Sequence, residues 1–390
     1  MNIDAIMLAI VVALWPGASF AQSASSAAPA HNPQTTATAT PAPYVADAAE
    51  GPAGSDPKAI AAGDAAQHAW EAYQNSIADA LIGSDRPRDW MLAANMMRFF
   101  GDDSAEPLHP SRDELLERAT RRAPDDVLVQ WMATLDRSGA NTCVAKSVPD
   151  ENVEALTRLQ PDNAASWLMA LALASTRKNP ALVDDALAHM ASSARYDDHF
   201  ADTLRAWLDV YDRFPPPLSL QIAESAAAPS QISATTLKSM MGFTSALAQA
   251  AATAMPGYQY LTGACKPDAD DNSSWRRYAY CEDVGRLMLG NGKTLIARLI
   301  GFAVLRNLGD LTAADRQERR NLDWYMHKFI EAVGYERADD IAIGSYQTDW
   351  RHFDDEVEII KRALRRAGLP DEAPVGWVGS SWSAAKGPPG

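Results

Sequence analysis

Apolar residues recur at steps of three and four between about residue 64 and residue 369, the spacing that lines one face of an α-helix. The last such segment is the clearest. Phe353, Val357, Ile360 and Leu364 fall at steps of four, three and four and predict a buried stripe. Asp354, Asp355, Glu356 and Glu358 fill its first turns and Lys361, Arg362, Arg365 and Arg366 its last, the order a helix macrodipole favours. Gly368 and Pro370 supply the stop. From Thr294 to about Leu308 the pattern changes. Leu295, Ile296, Leu299, Ile300, Phe302, Val304 and Leu305 leave almost no polar face, so this helix is predicted at the buried centre of the C-terminal part. Alternation of period two bounded by hairpin turns is sustained nowhere. The predicted fold class is all-α.

The first half repeats itself. Glu117-Arg-Ala-Thr-Arg-Arg-Ala-Pro124-Asp-Asp is echoed by Glu154-Ala-Leu-Thr-Arg-Leu-Gln-Pro161-Asp-Asn, and a degenerate third copy ends at Tyr196-Asp-Asp. Intervals of 37 and 35 residues separate Pro124, Pro161 and Tyr196. Each marker is read as ending one helix and capping the next, because Asp or Asn accepts hydrogen bonds from the free amides of a helix start. Helix pairs at this period bury their faces only against neighbours, as in a solenoid. With its Leu159-x-Pro161-Asp162 closure, the stretch from about 110 to 215 resembles tetratricopeptide repeats. The resemblance puts the family's aromatic on Trp167 and its large apolar residue of the second helix on Leu187. It departs from the family at Leu171, where a small residue is expected, and at Tyr196, where a proline is. For fold it implies stacked helix pairs, which the apolar periodicity extends with a helical C-terminal lobe. For function it implies binding of a peptide or protein in a concave groove.

Both ends differ from this middle. Ala5 to Trp15 form a short apolar run broken by Pro16 and Gly17, and Ser19-Phe20-Ala21 places small residues where a signal peptidase reads. A secretory signal at 1–21, cleaved after Ala21, is expected, although its n-region Met1 to Asp4 lacks Lys and Arg. The run falls short of the roughly 20 residues of a membrane-spanning helix, so the mature chain is expected to have no integral span. Residues 22–63 are rich in Ala, Ser, Thr, Pro and Gly and are predicted to form a disordered linker. Residues 64–255 then make the repeat lobe, 256–369 the C-terminal lobe and 370–390 a disordered tail, in which Trp377 and Trp382 are candidate partner-binding anchors.

Charge narrows the partners. The 390-residue chain carries 50 Asp and Glu against 35 Lys and Arg, a net charge of −15. No domain-scale basic surface exists for nucleic acid or anionic lipid. Three cysteines allow three pairings. Cys265–Cys281 is favoured because both are predicted at the ends of adjacent helices, flanking the polar loop Lys266 to Arg277. That leaves Cys143 over, in the loop Ser138 to Val148.

Several fragments invite a chemical reading. Gly290-Asn-Gly-Lys293-Thr294 looks like the end of a phosphate-binding loop, but Leu287 occupies the position of its first glycine and a helix precedes it. A helix–helix turn is expected instead. Asp197-Asp198-His199 and His352-Phe-Asp354-Asp355 could hold a metal or run acid–base chemistry. Adjacent helical residues point about 100° apart, however, and both clusters are predicted to begin helices, where acids cap. The acids from Asp268 to Asp271 lack the ligand spacing of an EF-hand, and a solvated loop is expected there. The scattered cysteines do not make a zinc site. Glu224-Ser225 resembles the catalytic pair of lytic transglycosylases, over two residues only. Trp70, Trp90, Trp131, Trp167, Trp207, Trp275, Trp324 and Trp350 are expected mostly in the core. Arg316, Arg319, Arg320 and Lys328 are expected on a solvated face.

The expected function is that of an exported, non-catalytic periplasmic scaffold or inhibitor. It would bind another protein or a peptide of the cell envelope, with no cofactor, no metal and no catalytic residue. The alternative is a helical cell-wall hydrolase of the lytic-transglycosylase type.

Overall fold

The computed structural model describes residues 57–97, 110–137, 150–217, 234–253, 255–266, 274–333 and 340–377. The signal segment, Cys143, Glu224-Ser225, Asp268 to Asp271 and Trp382 lie outside them. The described residues are mostly helical. The first half runs α1 (Pro57–Ile82), α2 (Pro87–Met97), α3 (Arg112–Arg122), α4 (Val127–Arg137), α5 (Asp150–Leu159), α6 (Ala164–Thr176), α7 (Pro180–Ser192) and α8 (Phe200–Arg213). It continues as α9 (Ala234–Thr253), α10 (Tyr258–Ala264), α11 (Ser274–Asn291), α12 (Leu295–Leu308), α13 (Ala313–Val333), α14 (Asp340–His352) and α15 (Glu356–Arg366). Among the described residues the only extended pairings are two isolated bridges, Asn163 with Arg195 and Tyr196 with Gly292.

Local chemistry explains the boundaries. α1 starts inside the stretch read as linker, because Pro57 suits a first helical position and Lys58-Ala-Ile-Ala-Ala are good helix formers. Ser111 and Glu114 close a capping box on α3. Asp355 caps α15 through the amides of Val357 and Glu358 at 2.9 and 3.2 Å. Gly368 ends it with φ 71°, a conformation glycine adopts without steric cost. Phe353 precedes α15, while Val357, Ile360 and Leu364 are buried along it. By contrast, His352 closes α14, where it bonds the Thr348 carbonyl at 2.8 Å, and does not begin a helix.

One core runs from Ile77 on α1 to Ala363 on α15, with Trp131, Trp207, Tyr196 and Trp350 fully buried in it. A smaller core between α12, α13 and α15 gathers Leu305, Leu322, Tyr325 and Leu364. Most of the tryptophans are core, as expected; Trp70 and Trp167 are half-buried, and Trp275 stands 70% exposed at the start of α11. No residue of α12 from Leu295 to Leu305 is exposed. It crosses α11 where Gly285 and Gly301 meet, with main chain against main chain. The solvated face expected for the basic residues of α13 is interrupted at Arg319, which is largely buried and pairs with Asp323 at 2.7 Å.

The disulfide joins Cys265, at the end of α10, to Cys281. Cys281 lies inside α11, not at its end, because that helix starts at Ser274. Both sulfurs are in the core. Replacing both with serine is expected to destabilise the protein by about 2–3 kcal/mol through the entropy of the freed loop. Urea unfolding with and without reductant checks this: wild type should shift to the variant's midpoint on reduction.

Residues 371–377, grouped with the tail by composition, lie against α13. Ala373 N–H donates to Asn321 at 3.2 Å, the Pro370 carbonyl accepts from the Trp324 indole at 2.9 Å, and Arg365 pairs with Asp371. Trp377 sits edge-to-face on Trp324, 5.4 Å between centroids, with His327 at 5.8 Å. One face of this candidate anchor thus packs on its own chain.

Candidate functional site

Two depressions gather side chains with functional chemistry, and the first arises where the repeat markers meet. In the first two copies the helix starts directly after the marker. Asp126 Oδ1 accepts from the amides of Leu128 and Val129, and Asn163 Oδ1 from that of Ala165. Asn163 is fully buried and also exchanges hydrogen bonds with Asp197, its amide donating to Asp197 O at 2.9 Å while its oxygen accepts from Asp197 N at 2.9 Å. In the third copy α8 begins one residue later. The extra residue is His199, which takes a left-handed backbone with φ 55°. For a non-glycine residue that conformation costs on the order of 1–2 kcal/mol, so its surroundings must hold it there.

That one residue overturns the capping expected of the Asp197-Asp198-His199 cluster. His199 occupies the cap position without a side-chain cap, and Asp198 reaches the Phe200 amide only at 3.4 Å. Instead, Asp198 Oδ2 turns into the core and accepts from the Tyr258 hydroxyl at 3.1 Å and the Thr294 hydroxyl at 2.7 Å. The His199 ring points the other way. Its Nδ1 lies 3.1 Å from Asp202 and its Nε2 2.8 Å from Gln160, with the Trp131 ring in an edge-to-face contact, centroids 5.2 Å apart. The neighbours diverge, as the 100° offset requires.

Around that imidazole opens a polar cleft of ≈ 510 Å³, walled by Arg88, Asp126, Gln160, His199 and Asp202. Its groups satisfy one another. Arg88 grips Asp126 in a fork at 2.7 and 3.2 Å. Asp202 holds its carboxyl down at about 2, chiefly through the bond from His199 and then that from Arg205, against the opposing cost of burial. A general base needs a ring nitrogen within reach of substrate. His199 is 3% exposed with both nitrogens engaged, so it is a brace between two markers.

The second depression is apolar, a groove of ≈ 180 Å³ between α5, α6 and α7. Val153, Trp167, Leu173 and Leu182 line it, with Glu154, Arg177 and Asp185 at its edges. Trp167 is anchored by its indole N–H on the Pro161 carbonyl at 3.0 Å and stacks flat on His189 at 3.8 Å. Leu182, in the first turn of α7, is 45% exposed and lines the same groove as Trp167. The volume is below the roughly 300–1,000 Å³ of small-molecule pockets, and suits one side chain of a larger partner.

Comparison of the chain with family models, with curated proteins and with solved structures finds no match.

The remaining sequence candidates sit as follows. Gly290 and Asn291 end α11, and Gly292 to Thr294 make the expected helix–helix turn into α12. A Cβ on Gly292 would meet the Met288 carbonyl at 2.5 Å, so glycine is required there for close approach. The amides a phosphate would use are already taken: Thr294 Oγ1 accepts from Ala297 and a carboxylate, Glu356 Oε2, accepts from Leu295 at 2.6 Å. Among the described residues no group of three or more His, Cys, Asp and Glu is placed to hold a metal. The groove escaped sequence reading because Val153, Trp167 and Leu182 belong to three helices; only Trp167, by the tetratricopeptide resemblance, carried a signal.

Proposed function

We propose that the chain is an exported, non-catalytic binding protein whose tetratricopeptide-like helix pairs hold a protein or peptide of the cell envelope. The groove between α5 and α7 would take an apolar side chain of that partner. The observation that carries this reading is the exposed Leu182 beside the half-buried, rigidly stacked Trp167 over an apolar floor. Rigid aromatics flanked by apolar contacts are what protein-binding surfaces use as anchors. The repeat itself has support in contacts recurring at one offset: Arg158 reaches Asp125 at 3.7 Å and Arg195 reaches Asp162 at 3.3 Å, each across 33 residues to the preceding marker. The disulfide fits an oxidising compartment. Among the described residues no helix is long and apolar enough to cross a membrane.

Selection from a library of short peptides, followed by titration of the peptides recovered, tests the groove. Leu182→Glu and Trp167→Ala should each weaken binding at least about tenfold, or 1.4 kcal/mol, with helical circular dichroism unchanged. Wild-type affinity in both variants overturns the assignment. Muropeptides released from purified peptidoglycan, and lost in Glu224→Gln, would replace it with a cell-wall hydrolase.

A further inference from the structure

The polar node that joins α8 to α12 and α15 contains two inward carboxylates and no cation bonded to either. Asp198 and Glu356 hold consecutive residues of one helix start: Asp198 accepts from the Thr294 hydroxyl at 2.7 Å and Glu356 from the Leu295 amide at 2.6 Å. Among the described residues neither forms an ion pair. The nearest cation, Arg298, is committed to Asp355 at 2.9 Å, to the Gly292 carbonyl and, at 3.5 Å, to Glu318 on α13. The other groups facing the node are Tyr258 from α10, Tyr196 from the third marker and Tyr346 from α14, with Asp197 and Asp355 adding like charge. His199 is next in the chain, but its ring turns to Gln160 and Asp202.

We propose that Asp198 and Glu356 form a proton-operated latch. A proton carried by one of them lets both seat on the first turn of α12, and its release to solvent sets two like charges against one helix start and loosens that start. Burial pushes both carboxyls up, that of Glu356 to about 7. An acid raised by folding binds its proton more tightly folded than unfolded. Its stabilisation is therefore complete at low pH and lost as pH climbs from the usual 4.5 through 7. Asp202, held down at about 2, acts in the opposite sense and only below that window.

Hydrogen exchange of the full chain between about pH 5 and pH 8, corrected for intrinsic rates, reads the latch directly. Opening of residues 292–298 should rise by up to roughly tenfold per pH unit to about pH 7 and then level off. Glu356→Gln, whose carbonyl still accepts from Leu295, should flatten that rise. A flat wild-type profile, or a slope surviving both Glu356→Gln and Asp198→Asn, overturns the proposal. Should these variants fail to fold, the infrared band of a protonated carboxyl in wild type at about pH 6, gone by about pH 8, decides the matter; its absence at pH 6 overturns the latch.

Discussion

Arg213→Met is expected to destabilise the protein by about 3–5 kcal/mol, the cost of leaving a buried carboxylate without its cation. Asp89 lies in the first turn of α2 and is 1% exposed. The Arg213 guanidinium, 124 residues on at the end of α8, grips both its oxygens at 2.7 and 2.9 Å. Among the described residues the only other cation paired with it, Arg86, is half-exposed and 3.9 Å away, too far to replace a fork. The pair therefore fastens α2 to the end of α8. Because desolvating two charges offsets most of their attraction, its net worth is far smaller than the cost of breaking it. The double variant Asp89→Leu/Arg213→Met should accordingly recover more than half of the loss. Urea midpoints for the single and double variants check both statements. A single variant within 1 kcal/mol of wild type would mean that water reaches Asp89.

Gly301→Leu should cost at least about 3 kcal/mol, at the upper end for overpacking. A Cβ at Gly301 would stand 2.5 Å from the Leu289 amide nitrogen and 2.7 Å from the Gly285 carbonyl, both main-chain atoms of α11. No rotamer change can relieve such contacts, so the helices must separate, and the cores on either side separate with them. Even Gly301→Ala should be clearly destabilising, although alanine is the better helix former by about 1 kcal/mol. At Gly263, where a Cβ meets nothing within 4 Å, the same substitution should be neutral or mildly stabilising. Thermal unfolding of the two alanine variants therefore separates packing from propensity: opposite shifts are expected, and equal shifts would contradict the close crossing.

Whatever depends on neighbours in the chain was legible in the sequence. The all-apolar α12, the Asp355 cap, the Gly368 stop and the turn at Gly292 follow from spacing and residue type alone. The markers at Pro124 and Pro161 separate helices as their composition requires. What could not be read depends on a register shift or on distant partners. One added residue, His199, moved the start of α8 and turned Asp198 from a cap into part of the core. Nothing near Asp89 announces Arg213, and nothing near Thr294 announces Glu356. Arg319 looked like one of several surface cations until Asp323 and the α12 side of α13 enclosed it. Composition also gave no sign that Trp377, at the end of the described residues, packs on Trp324.

Under the proposed function, the helical array holds its partner through the α5–α7 groove. A photo-crosslinking amino acid placed at Leu182, and separately at the exposed Ala314 on α13, tests it inside the cell. The account predicts a discrete crosslinked protein from position 182, absent at 314 and abolished by Trp167→Ala. Crosslinks of equal yield at both positions, or none at 182, would contradict it.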